Sequence, residues 1–212
     1  MRPIPNLDHL YRHASARLRR LKQLALAAPT LPFAERDRRF CYVTIEARNT
    51  WSEFVRAYVL SCALHPKRTR NSQVTLTNRS IRSVTDVLHA ATRLIKGPRT
   101  PIVRTRRDEP AWHDVQALLK TCTFIGCSHI ADIHRALSIS TKAPEHLSTL
   151  RNYYAHRNPE SKQKACDLAA SYAIAAVMHP TVLAATAAPH RPQILIADWI
   201  DDLQNVAELL CE

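Results

Sequence analysis

Glycine is almost absent from this chain, with two residues in 212. The tight hairpin turns of an antiparallel sheet use glycine heavily, so a turn-rich β architecture lacks its usual residues. Aromatic residues are also sparse, at 6%, which removes a second mark of sheet-forming sequence. No apolar run reaches the ~18 residues that a membrane-spanning helix needs, and no signal-peptide pattern is present. Paired C-x2-C spacing is missing as well: Cys122, Cys127, His129 and His134 stand near one another but run through helical sequence. Neither a metal nor a cofactor is therefore expected. The six cysteines lie mostly in apolar helical patterns, which points to reduced thiols, a cytoplasmic location and no membrane partner.

Alanine and leucine are abundant, and 46% of the residues are hydrophobic, enough to bury one good core. The expected fold class is all-α, in a single domain over residues 1–212. Apolar residues at Leu7, Leu10, Ala14, Leu18, Leu21 and Ala25 predict a first helix ending before Pro29. A longer helix is predicted from about Glu35 to Leu64, with Phe40, Ala47, Trp51, Phe54, Tyr58 and Cys62 in one stripe. Beside that stripe runs a polar one of Glu46, Asn49, Glu53 and Arg56. Further helices are predicted over Ser80–Lys96, over Glu109–Leu137 with a bend near Gly126, and from Pro144 to just before Pro159. Two more, Glu160–Met178 and Gln193–Leu210, complete the chain. The β-prone "SQVTLT" within the connector 65–78 reads as loop.

The charge is uneven. Thirty Lys and Arg face eighteen Asp and Glu, a formal net charge of +12. Between His65 and Arg107 there are eleven basic residues and a single acid, Asp86. Such a segment attracts polyanions and hastens their encounter with the protein. Arg68, Arg70, Arg104, Arg106 and Arg107 in the two basic connectors are the candidate contacts.

The stretch "LSTLRNYYAH" carries the most chemistry. At 100° per residue, Leu147, Leu150 and Tyr154 share one helix face, while Asn152 and His156, four apart, stack on the opposite one. Arg151 falls between. A histidine in a last helical turn meets unpaired carbonyls that favour the imidazolium, and an arginine offers a planar fork to phosphate. Proton-transfer group, orienting amide and anion stabiliser are the parts needed to cleave a phosphodiester without metal. Arg-to-His spacing alone is uninformative, since Arg2 and His9, or Arg82 and His89, show similar intervals. Asparagine directly after the arginine, late in an amphipathic helix with Tyr154-Ala155 before the His, makes the pattern moderately specific.

At these residues the chain resembles the HEPN superfamily of small α-helical proteins, whose signature is an Arg, commonly followed by a polar residue, with a His four to six residues later. "TWSEFVRAYVL" is similar to an early-helix stretch of the prokaryotic subgroup that includes the RiboL-PSP family, through Trp51, Glu53, Phe54 and Val55. The resemblance implies a HEPN-like helical bundle with additional N- and C-terminal helices, a homodimer in which two copies of the Arg/His helix border one cleft, and a metal-independent endoribonuclease acting on RNA. On that pattern Arg151, Asn152 and His156 are catalytic, and Glu53 holds Arg151 or Asn152 in place. A toxin or antiphage effector is one biological form of such an enzyme, and an antitoxin would then be a partner. Members silenced by adenylylation carry a Tyr two residues after the His. This chain has Asn158 there, which argues against that route. A non-catalytic HEPN-like module for RNA or nucleotide binding, or for assembly, stays open as the alternative.

Overall fold

The computed structural model describes residues 1–69, 72–100, 105–138 and 142–212. Arg70 and Arg104, two of the candidate RNA contacts, lie outside them. The described residues are all-helical, with nine α-helices: α1 (Leu7–Leu26), α2 (Phe33–Ser61), α3 (Val84–Lys96), α4 (Val115–Ile125), α5 (Ile130–Ser138), α6 (Ala143–His156), α7 (Pro159–Asp167), α8 (Pro180–Ala185) and α9 (Leu195–Cys211). Short 3-10 turns occupy Cys62–Leu64, Arg106–Asp108 and Leu168–Tyr172. The β-prone stretch forms no strand, only isolated bridges such as Lys67 to Gln73 and Leu76 to Cys127. No described helix is long and apolar enough to cross a membrane.

Contacts gather into two compact units, Met1–Ser15 with Trp51–Ser140 and Asn205–Glu212, and Ala16–Thr50 with Thr141–Gln204. In the first unit, Trp51, Phe54 and Tyr58 follow one another along α2 as stacked rings 5.8 and 6.1 Å apart. All three are buried, with Leu118, Ile125 and Ile133. The connector before α4 is fixed by Glu109, itself buried. It takes a two-point ion pair from Arg56 (2.5 and 2.7 Å) and a hydrogen bond from Trp112 Nε1 at 2.8 Å. A carboxylate without those three donors could not remain there, because burying an unpaired charge costs several kcal/mol.

The second unit buries Leu18, Leu21, Phe40, Val43, Leu147, Leu150, Trp199 and Ile200. A part-buried polar chain joins three of its helical segments: Trp199 Nε1 donates to Tyr172 Oη, which is hydrogen-bonded to His146 Nδ1, both at 2.6 Å. This chain explains a departure from the periodicity. A helix is predicted to run on to Met178, but α7 stops at Asp167, passes through the 3-10 turn that carries Tyr172, and reverses at Ala173 in the left-handed region (φ 52°). Holding the Tyr172 hydroxyl between an imidazole and an indole outweighs continuing an alanine-rich helix. The helix α8, capped by His179, is not anticipated from the sequence, since six residues are too few to show a period.

Candidate functional site

Helix α6 displays its two faces as the spacing predicts. Leu147, Leu150, Tyr153 and Tyr154 are buried, while Asn152 and His156 are exposed. Pro144 sits in the first turn, where its missing N–H costs nothing. The helix ends at Arg157, whose backbone turns left-handed (φ 48°) and returns its N–H to the Tyr153 carbonyl at 2.7 Å. Pro159 then opens α7, and Asn158 caps it by accepting from the Ser161 N–H at 2.7 Å. The tight α6–α7 corner leaves an open polar groove of about 280 Å³ lined by Asn152, His156, Asn158, Ser161 and Lys164 among others. Asn158 is thus both the helix cap and part of the groove wall.

Arg151 is half-buried beside this groove, and its Nη1 donates to Asn152 Oδ1 at 3.5 Å. The amide is therefore turned toward the guanidinium rather than the imidazole. Arg48 of α2 lies close enough that burial first, and then the charge of Arg151, lowers its pKa from the usual guanidinium value. Like charges near one another disfavour each other's ionised form, and a negatively charged ligand nearby would favour both. The sequence reading passes over Arg48, because it adjoins the polar stripe of α2 without any local motif.

The end of α6 is braced from below. Arg157 Nη1 pairs with Asp37 Oδ2 at 2.9 Å, and its guanidinium lies over the rings of Tyr153 and Tyr154 at 5.9 and 5.8 Å. Asp37, 8% exposed, also accepts a short hydrogen bond from Thr181 Oγ1, which lies 3.1 Å from Tyr154 Oη. The Thr181 N–H donates to His179 Nδ1 at 3.2 Å, so the proton of a neutral ring sits on Nε2, which is 2.9 Å from Tyr153 Oη and donates to it. Burial lowers the His179 pKa, partly offset by the Asp37 carboxylate, and so favours that neutral form. Asp37, Thr181 and His179 together fix both tyrosines of the helix that bears Asn152 and His156.

The remaining candidates are distributed differently. Glu53 belongs to the first unit, is half-buried on α2, and lies 3.4 Å from the Met1 amino group. Arg68, in the same unit, has a side chain only 11% exposed and pairs with Asp132 at 2.8 Å, so its charge is largely committed internally. Arg106 and Arg107 are exposed on the 3-10 turn before Glu109. Geometry thus places Asn152, His156 and Lys164 on one groove in the second unit, with Arg151 hydrogen-bonded to Asn152. No family model, curated protein or solved structure matches the chain.

Proposed function

We propose that the groove at the α6–α7 corner cleaves RNA in the manner expected of a HEPN-type endoribonuclease. The observation that carries this reading is the exposed Asn152–His156 pair in a polar groove, with Arg151 hydrogen-bonded to Asn152. His156 transfers the proton as a ribose 2′-hydroxyl attacks the adjacent phosphorus. Arg151, reinforced by Arg48, stabilises the charge gathering on the phosphoryl oxygens. Asn152 holds the Arg151 fork in register through its carbonyl oxygen. The P–O5′ bond breaks, the 5′-oxygen takes a proton, and a 2′,3′-cyclic phosphate and a free 5′-hydroxyl result. One groove supplies a single imidazole, whereas the reaction removes one proton and donates another. Two copies related by a two-fold axis, each giving its His156, would provide both.

The test uses labelled RNA in EDTA with the wild-type chain and the variants His156→Ala, Arg151→Ala and Asn152→Ala. Cleavage by wild type, loss of about 10²-fold or more in His156→Ala, and resistance of an all-deoxy strand support the reading. Tight, salt-sensitive RNA binding with no cleavage in any lane, and no growth defect on induction, would support the non-catalytic binding module instead. Equal growth arrest by wild type and His156→Ala would separate toxicity from this groove.

A further inference from the structure

The first unit brings Cys62 together with Cys122 and Cys127, which lie far from it along the chain. Cys62 opens the 3-10 turn after α2, Cys122 lies in the last turn of α4, and Cys127 follows Gly126, whose left-handed backbone (φ 69°) closes α4. Their Sγ atoms all lie within 4.8 Å of one another. All three residues are buried, at 0, 0 and 2% exposure.

Thiolates around a tetrahedral zinc, with Zn–S of about 2.3 Å, stand about 3.8 Å apart. The observed spacing therefore needs a contraction of at most about 1 Å, within reach of side-chain rotation. The same spacing is too narrow to enclose an iron–sulfur cluster. Soft sulfur ligands exclude calcium and magnesium. A second observation points to the fourth ligand. His129, two residues beyond Cys127 and 6% exposed, has its Nε2 2.5 Å from Tyr58 Oη, while its Nδ1 is buried without a hydrogen-bond partner. An imidazole with one nitrogen held by a neighbour and the other left for an ion is the usual posture of a metal-ligating histidine. Nδ1 stands outside the sulfur triad, so ligation requires the ring to shift toward it.

We propose that Cys62, Cys122, Cys127 and His129 form a structural Zn²⁺ site, with Tyr58 orienting the histidine. Binding replaces three thiol protons by one divalent ion, so the filled site carries one net negative charge and loading releases protons. It ties together the end of α2, the end of α4 and, through the Leu76–Cys127 bridge, the connector 72–77. The site is independent of the ribonuclease reading, because none of its residues belongs to the groove.

The full chain, purified under reducing conditions without chelator, should contain about one zinc per molecule. Mass-spectrometric mapping of alkylated thiols should show Zn²⁺ protecting Cys62, Cys122 and Cys127 relative to chelator-treated protein, while Cys41 and Cys166 react equally in both. Tyr58→Phe, which keeps the buried ring, should weaken zinc affinity by about 10- to 100-fold. Cys166→Ser should leave zinc content unchanged. With Co²⁺ in place of zinc, His129→Ala should alter the ligand-field spectrum while keeping the sulfur-to-metal charge-transfer band. A chain that takes up no zinc on reconstitution overturns the proposal. So does zinc that protects other cysteines, or a disulfide within the triad in the reduced preparation.

Discussion

Replacing Asp37 with alanine removes the carboxylate on which two partners of the α6 terminus converge. Arg157 loses an ion pair, but its side chain is 49% exposed and can return to water, so that loss is worth at most about 1 kcal/mol. Thr181 is fully buried and loses the acceptor of its hydroxyl proton, a loss of about 1–3 kcal/mol. The sum is about 2–4 kcal/mol, which for a chain of this length lowers the melting temperature by roughly 5–15 °C. Asp37→Asn keeps an oxygen for Thr181 and should lose about 1 kcal/mol. Urea denaturation gives the free energies directly. Hydrogen exchange localises the effect: the Arg157 N–H, bonded to the Tyr153 carbonyl, should exchange faster in Asp37→Ala. An alanine variant within 0.5 kcal/mol of wild type, with Arg157 exchange unchanged, would refute the claim that this carboxylate braces the helix.

His146 supplies a pH-dependent counterpart. Burial, with a smaller contribution from Lys142, lowers its pKa to about 4. The folded state thus binds the proton less well than the unfolded chain. Stability is complete above about pH 6.5 and should fall by about 2 kcal/mol by pH 5, a slope that His146→Gln flattens in urea titrations at the two pH values. Gly126→Ala should destabilise the chain by about 2–4 kcal/mol by thermal unfolding, since the new methyl meets Thr77 Oγ1 at 1.9 Å in a backbone region that L-residues disfavour. Arg157→Gly relieves about 1 kcal/mol of left-handed strain but loses the Asp37 pair and both ring contacts, so a net loss of about 1 kcal/mol is expected. A more stable glycine variant would show that the residue is an ordinary helix stop.

Much of the helical layout was legible because its causes are local. The run from Phe33 to Ser61 keeps one apolar stripe for eight turns, and the bend at Gly126 requires the residue that tolerates a positive φ. What was not legible depends on partners distant in the chain. The early end of α7 follows from Tyr172 meeting His146 and Trp199, at separations of 26 and 27 residues. Nothing in the alanine-rich stretch itself opposes helix. The basic connectors illustrate the same limit in charge. Arg68 reads as a free cation in a basic run, yet Asp132 and burial commit it to the interior.

The candidate site divides along the same line. Asn152 and His156 were readable because residues four apart on a helix share a face whatever surrounds them, and the leucines fix which face is inside. Their support was not readable. Asp37 lies 120 residues from Arg157 and 144 from Thr181, and no spacing rule connects them. Arg48 is similarly remote from Arg151. A motif therefore names the groups that could touch a substrate, but not what makes them hold still. In this chain that rigidity comes from a buried carboxylate and a helix-capping histidine, which lock two adjacent tyrosines so that the intervening polar face has only one way to point. Exposed residues on an unbraced helix end would fray, and frayed termini open at little free-energy cost. On the proposed reading the groove holds a phosphate, which a fraying end could not do, so the brace is as much a part of the site as the residues that line it.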